Sequence, residues 1–207
     1  MQNKIDLKKE YKKLYNPSSK APEIIDVPNF KFLMIDGKGI ENEEYQSSIQ
    51  ALFNVSYKTK FIIKKDKNID YTVMPLEGLW WADDMNDFIN NKKDKWKWTL
   101  MIMQPDFVSN EIILKAIDEV KKKNEIKRLE YLRLEDYKED LSCQIMHIGP
   151  YSEEHQNIIK IHKLIEENNG KFNGKTNKHH EIYLSDFRKT APEKLKTILR
   201  QPFIRNK

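Results

Sequence analysis

The chain has one cysteine, Cys143, among 207 residues. No disulfide framework and no cysteine-based zinc site can form within it. Glycine is scarce at 6 residues, and there is no P-loop, no GxGxxG, no GxSxG elbow and no plausible Cys-His pair. Histidines are also few. His179 and Glu181 share a face of an extended run while His180 points away, and no HExxH-type spacing brings His147, His155 and His162 to join them. A catalytic zinc needs three protein ligands, so neither a metal nor a cofactor is expected. No run approaches the ~20 apolar residues of a membrane-spanning helix. The opening MQNKIDLKKEYKKLY is basic but lacks the apolar stretch of a secretory signal. A cytoplasmic protein with no membrane partner is expected. The net charge of +5 is the remainder of 37 Lys and Arg against 32 Asp and Glu. Because the two signs are interleaved along the chain, they read as solvated surface, and direct nucleic-acid binding is not expected.

Hydrophobic residues make up 39% and aromatic residues 11%, with four Trp, which argues for a folded domain with a core. Two segments align, FLMIDGKGIENEEYQSSIQALF (Phe32 to Phe53) and SCQIMHIGPYSEEHQNIIKIHK (Ser142 to Lys163). In each, an apolar run leads to a glycine, Gly39 or Gly149. At the same distance beyond it stands Glu43-Glu44-Tyr45-Gln46 or Glu153-Glu154-His155-Gln156. A helical pattern follows both. Asn42 is the candidate N-cap of the first helix, with Tyr45, Ile49, Leu52, Phe53 and Ser56 on one face. Ser152 is the candidate cap of the second, with Ile158, Ile161, His162 and Ile165 as its stripe and Asn169-Gly170 as its stop. The paired glutamates lie at helix N-termini, where the helix dipole favours them.

Each helix is followed by two strand-like runs: Asp70 to Asp83 and Trp96 to Pro105 in the first half, His179 to Asp186 and Lys194 to Pro202 in the second. Thr190-x-x-Glu193 resembles a capping box with Pro192 inside it, but the repeat favours a strand there. The fold class is therefore α+β: duplicated βαββ units form an antiparallel sheet, with helices packed on one face and a ligand groove between the halves. The divisions are an N-terminal helical extension over 1–28, a first unit over 29–106, a linker helix and extended strand over 107–138, and a second unit over 139–207. Within the linker, Ser109 caps a helix carrying Ile113, Ala116, Ile117 and Val120. The extended stretch Leu129 to Tyr137 is expected to pair with a strand beginning at Leu141. The N-terminal helix over Asp6 to Tyr15 reads as an edge decoration.

The groove has candidate lining residues. Trp80 and Trp81 are adjacent on a strand, so one faces the core and the other the groove. Trp96 and Trp98 share a face of the neighbouring run. Indoles of this kind, with Tyr183 and Tyr151, offer flat surfaces to an aromatic or cationic ligand. Glu181 stands mid-strand beside Tyr183. The residues alone leave it as a receptor for a cation, a catalytic base or a solvated side chain.

Three motifs, HIGPYSEE (His147 to Glu154), HEIYLSDFRKTAPEKLKTILRQP (His180 to Pro202) and PLEGLWWAD (Pro75 to Asp83), resemble the GyrI-like small-molecule-binding family, in its stand-alone bacterial branch. The likeness runs from Phe30 to Pro202. It departs at Phe187, where the branch usually has Pro, and at Glu139-Asp140, read as a turn, where Glu-Gly is common. The resemblance implies a ligand groove between two βαββ halves. It also implies a cleft glutamate and aromatics matching Glu181, Trp81 and Tyr183, with Tyr151 at the rim and Trp80 as the alternative indole; Trp98 joins the expected ligand-binding set. The expected function is binding of bulky aromatic or cationic small molecules. The alternative is a hydrolase that opens the cyclopropane of DNA-alkylating natural products, with Glu181 and Tyr183 at the chemistry. A further alternative is a protein-interaction module such as a gyrase inhibitor.

Overall fold

A computed structural model describes residues 4–123 and 125–205 of the chain. Of the divisions above, residues 1–3, 124 and 206–207 lie outside it. After two helices of one turn, α1 (Leu7–Glu10) and α2 (Lys12–Tyr15), comes the sixteen-residue strand β1 (Glu23–Lys38). Leu33, Met34 and Ile35 are consecutive and all buried, which marks a strand covered on both faces. Helix α3 (Glu43–Lys67) starts at Asn42, whose side-chain oxygen accepts from the Tyr45 N–H at 2.9 Å. It turns Ser47, Ser48, Ala51, Leu52, Val55 and Ser56 to the sheet, a small-residue face that lets the backbone approach closely. Asn42→Ala removes this cap and is expected to cost about 1 kcal/mol, read as a lower midpoint in urea with an unchanged slope.

Beyond α3 come β2 (Leu76–Trp81), α4 (Asn86–Ile89), β3 (Lys97–Gln104) and α5 (Asn110–Lys121). As expected, Ser109 caps α5, accepting from Ile112 N–H at 3.4 Å, and Ile113, Ala116, Ile117 and Val120 are its buried face. Then follow β4 (Arg133–Ile148), α6 (His155–Glu167), β5 (Gly170–Lys171), β6 (His179–Tyr183), β7 (Lys196–Pro202) and β8 (Ile204–Arg205). Six strands form one antiparallel sheet in the order β1-β3-β2-β6-β7-β4, and β4 returns to β1, so the sheet closes into a barrel. Strands β5 and β8 form a separate pair.

Closure leaves no open, concave face opposite the helices. Strands β1 and β4 are long enough for two partners each. β1 pairs with β4 through Glu23–Met34 and with β3 through Lys31–Lys38. A twisted sheet whose end strands overlap in this way has no edges left. Its inner face becomes a filled interior.

That interior contains charge. His180 lies between Glu77 and Glu139, with Nε2 3.0 Å from Glu77 and Nδ1 2.9 Å from Glu139. Arg200 donates to Glu139 at 3.0 Å, to Gln144 and to the Leu14 carbonyl. The Tyr15 hydroxyl donates to Glu77 at 2.8 Å. The N-terminal segment is thus not an edge decoration, since Leu14 and Tyr15 plug the barrel and satisfy its polar groups.

Three local expectations also change. Arg133 to Ile148 is one strand, not a hairpin. The Glu139-Asp140 step is a kink inside it, with Asp140 at φ 59°, a backbone that Asp tolerates and Gly adopts freely. Ser152 does not cap α6: it lies in a 3₁₀ turn, Tyr151–Glu153, and Glu154 occupies the cap position. The Thr190 region forms a 3₁₀ turn, Pro192–Lys194, with no side-chain cap, before β7 begins. Among the described residues no helix is long and apolar enough to cross a membrane.

Candidate functional site

Strands β2 and β6 are antiparallel neighbours, with Gly78 opposite Glu181, Trp80 opposite His179 and Leu76 opposite Tyr183. Facing residues share a side of the sheet, so Trp80, Glu181 and Tyr183 project together. Their side is the helix-bearing one. Leu199, opposite Glu181 on β7, packs with Ile161 and Ile165 of α6. Trp98, opposite Trp80 on β3, meets Tyr45 of α3 edge-on at 5.4 Å between ring centroids. The candidate cleft is therefore the region over the middle of the sheet, on the side that bears α3 and α6. Gly78 makes room in it: a Cβ there would come within 2.9 Å of the Trp80 indole nitrogen.

Glu181 keeps 17% of its side chain exposed. The Tyr183 hydroxyl donates to its Oε2 at 2.6 Å, and the Trp80 N–H donates to that same hydroxyl at 3.0 Å. The result is a relay from indole to phenol to carboxylate. His179 Nε2 stands 3.6 Å from the other oxygen, Oε1. Tyr151 lies edge-on to Tyr183 at 6.0 Å and remains 40% exposed, which puts it at the rim. Tyr45 and Trp96 close the wall, at 6.1 and 6.3 Å from Trp80. Burial, then the Glu181 charge, lifts the Tyr183 phenol well above its ordinary value, so it stays protonated as a donor. Burial also raises Tyr151, to about 12, with Glu154 and Glu181 adding to it.

Sequence reasoning passed over two residues of this cleft. Tyr45 was read as part of a helical stripe, and Glu154 as a helix-terminal charge. Glu154 is instead 7% exposed, and its buried Oε1 has no protein hydrogen-bond partner. Burial pushes its carboxyl up, the Glu181 charge pushes further, and a hydrogen bond with Thr197 offsets part of the rise, leaving it at about 10. The repeat held a signal for both, because Tyr45 and Glu154 belong to its two copies of the Glu-Glu motif.

The other candidates fall outside the cleft. Trp81 lies on the opposite side of β2, with the Lys178 ammonium 3.5 Å from its ring centroid. Trp98 has no exposed surface. It covers Gly37 and donates to the Gly39 carbonyl at 2.7 Å, and it reaches the cleft through Tyr45. His147 is engaged with the Pro150 carbonyl and Asn157. Among the described residues no group of three or more His, Cys, Asp or Glu side chains is placed to hold a metal ion.

Comparisons with known proteins identify the family and the fold. A family model described as a GyrI-like small molecule binding domain matches residues 20–202. An uncharacterized conserved protein from Listeria innocua has 41% identity and a TM-score of 0.88, over 97% of this chain and all of that one. Another Listeria innocua structure, described as a hydrolase, has 40% identity and a TM-score of 0.83, over 97% of this chain and all of that one. The EcmrR C-terminal domain shares the fold at 12% identity and a TM-score of 0.56, over 89% of this chain and 98% of that one. No curated protein matches the chain.

Proposed function

This chain belongs to the GyrI-like small-molecule-binding family, and on that premise we propose that its cleft holds a flat aromatic compound whose positive, or developing positive, charge faces Glu181. One observation carries the reading: a carboxylate fixed by Tyr183 at 2.6 Å, with little exposure, among the rings of Trp80, Tyr45 and Tyr151. Rings supply stacking area, and their faces attract cations. A carboxylate this dry interacts with an incoming charge more strongly than one in water. In this role Trp80, rather than Trp81, is the stacking indole, and Trp98 supports the wall from behind. We also read β1-α3-β2-β3 and β4-α6-β6-β7 as two copies of one βαββ unit, with the cleft at their β2-β6 seam.

The second reading is hydrolysis of a ligand bearing a strained ring. The observation behind it is the full-length likeness, at 40% identity, to a Listeria protein described as a hydrolase. In this reading Glu181 takes a proton from water as that water attacks a cyclopropane carbon, and Tyr183 holds the carboxylate in aim. The test is tryptophan fluorescence during titration with a planar cationic dye and with a cyclopropane-bearing alkylator, followed by mass spectrometry of the alkylator samples. Quenching by both, weakened in Trp80→Phe, is the expected result. Gain of water by the alkylator makes the protein a hydrolase, and quenching without it makes it a receptor. No quenching by either compound overturns the reading of the cleft.

A further inference from the structure

We propose that Glu154 is a second catalytic carboxyl of the cleft, the proton donor that complements Glu181 in ring opening. The inference rests on the hydrolytic reading. Its basis is position. Glu154 occupies the N-cap of α6, where a side chain normally accepts from the first free N–H groups of the helix, yet it makes no such bond. Its carboxyl turns to the sheet, bonds Thr197 and leaves Oε1 buried without a protein partner. Thr197 stands opposite Tyr183, whose neighbour on that face is Glu181, so both carboxyls serve one cleft. The groups facing Glu154 are Glu181 and Tyr183 from β6, Thr197 from β7 and Tyr151 from the rim turn. Tyr45 of α3 closes the Glu181 side.

Among the described residues, the groups acting on the Glu154 carboxyl are the Glu181 charge and the Thr197 hydroxyl, and neither is a cation. A carboxyl kept protonated by its surroundings can donate a proton while a neighbouring carboxyl accepts one. Tyr183 is a poor alternative donor, because its own proton is committed to Glu181 at 2.6 Å.

For a cyclopropane conjugated to a dienone, the step balances without a co-reactant other than water. Water oxygen bonds to the ring carbon and loses its proton to Glu181. The ring C–C bond breaks, and its electron pair moves through the conjugated system to the carbonyl oxygen. Glu154 protonates that oxygen, giving a phenol. The proton gained by Glu181 then passes to Glu154, and the pair is restored.

The experiment compares wild type, Glu154→Gln and Glu154→Asp. Binding is read by indole quenching and turnover by mass spectrometry. Two alkylators are used: a parent compound and an analogue whose ring-opened oxyanion is stabilised by an electron-withdrawing group. Glu154→Gln is expected to bind both but to lose about 10²–10⁴-fold in turnover of the parent. The loss should be much smaller on the analogue, which needs less proton donation, and the alkaline decline of the pH profile should vanish. Glu154→Asp, which keeps a proton donor, should recover part of the parent rate. An equal loss on both alkylators, or an unchanged pH profile, overturns the assignment and leaves hydrolysis standing. Wild type that quenches but adds no water overturns the hydrolytic reading, and the role of Glu154 with it.

Discussion

Arg200→Met is expected to lower the stability of the fold by about 3–5 kcal/mol, the cost of breaking a buried ion pair on one side. Methionine retains most of the packing volume, so the loss isolates the charge. Arg200 and Glu139 are each about 2–3% exposed in side-chain terms, and the guanidinium also satisfies Gln144 and the Leu14 carbonyl. Without it, Glu139 keeps one cationic partner, His180, and the N-terminal plug loses its main polar tie. Chemical denaturation measures the effect; a loss below about 1 kcal/mol, the level of an exposed pair, would mean that the interior is wet.

The same cluster sets a pH window. Burial opposes a charge on His180, but the Glu139 charge and the hydrogen bonds that the imidazole donates to Glu139 and Glu77 outweigh it, raising His180 to about 9. Its contribution is therefore complete below the unfolded value near 6.5 and is lost as pH rises through about 9. Burial likewise opposes charge on Glu139, and His180 and Arg200 outweigh it, bringing the carboxyl down to about 2. That contribution is present above the unfolded value and is lost as pH falls through about 2. Thermal midpoints should thus fall on both sides of a plateau between about pH 4.5 and 6.5. In Arg200→Met the plateau should shift down as a whole, and the further loss on the acid side should be smaller, because Glu139 is then less depressed.

On the hydrolytic reading, Glu181→Gln is expected to reduce water addition by about 10²–10⁴-fold while leaving the fold intact. At about 1.4 kcal/mol per factor of ten, this raises the barrier by about 3–5 kcal/mol. The amide oxygen can still accept from Tyr183, so the relay from Trp80 keeps its geometry, and what is lost is the charge and the basicity. Cationic dyes should bind more weakly, and neutral aromatic ligands nearly as before. The Glu181 charge also helps to raise Glu154, so the residual activity should decline at lower pH than in wild type. Unchanged turnover in Glu181→Gln would remove Glu181 from the chemistry and leave it a binding residue.

Much of the local structure is written in short-range patterns. Asn42 and Ser109 precede amphipathic runs and cap the helices that follow, because a cap needs only the next three residues. Period-two alternation put Glu181 and Tyr183 on one face, where they hydrogen-bond. The second helix was misread at its start because Ser152 satisfies the cap pattern but lies in the 3₁₀ turn that precedes the helix.

By itself, then, the amino-acid order determined the α+β content, most of the succession of strands and helices, the family resemblance and the shared face of Glu181 and Tyr183. These depend on residues a few positions apart. Tertiary structure alone decided that β4 returns to β1, that Glu181 and Tyr183 project on the helix side, that Trp80 and not Trp81 shares that side with Glu181, and that Glu154 is buried. Each of these turns on contacts between residues tens of positions apart, Glu154 with Thr197, Trp80 with Tyr183 and Arg200 with Leu14. No local period encodes whether a carboxyl at a helix start meets water or another strand. That is decided only when the sheet closes and fixes which surfaces remain open.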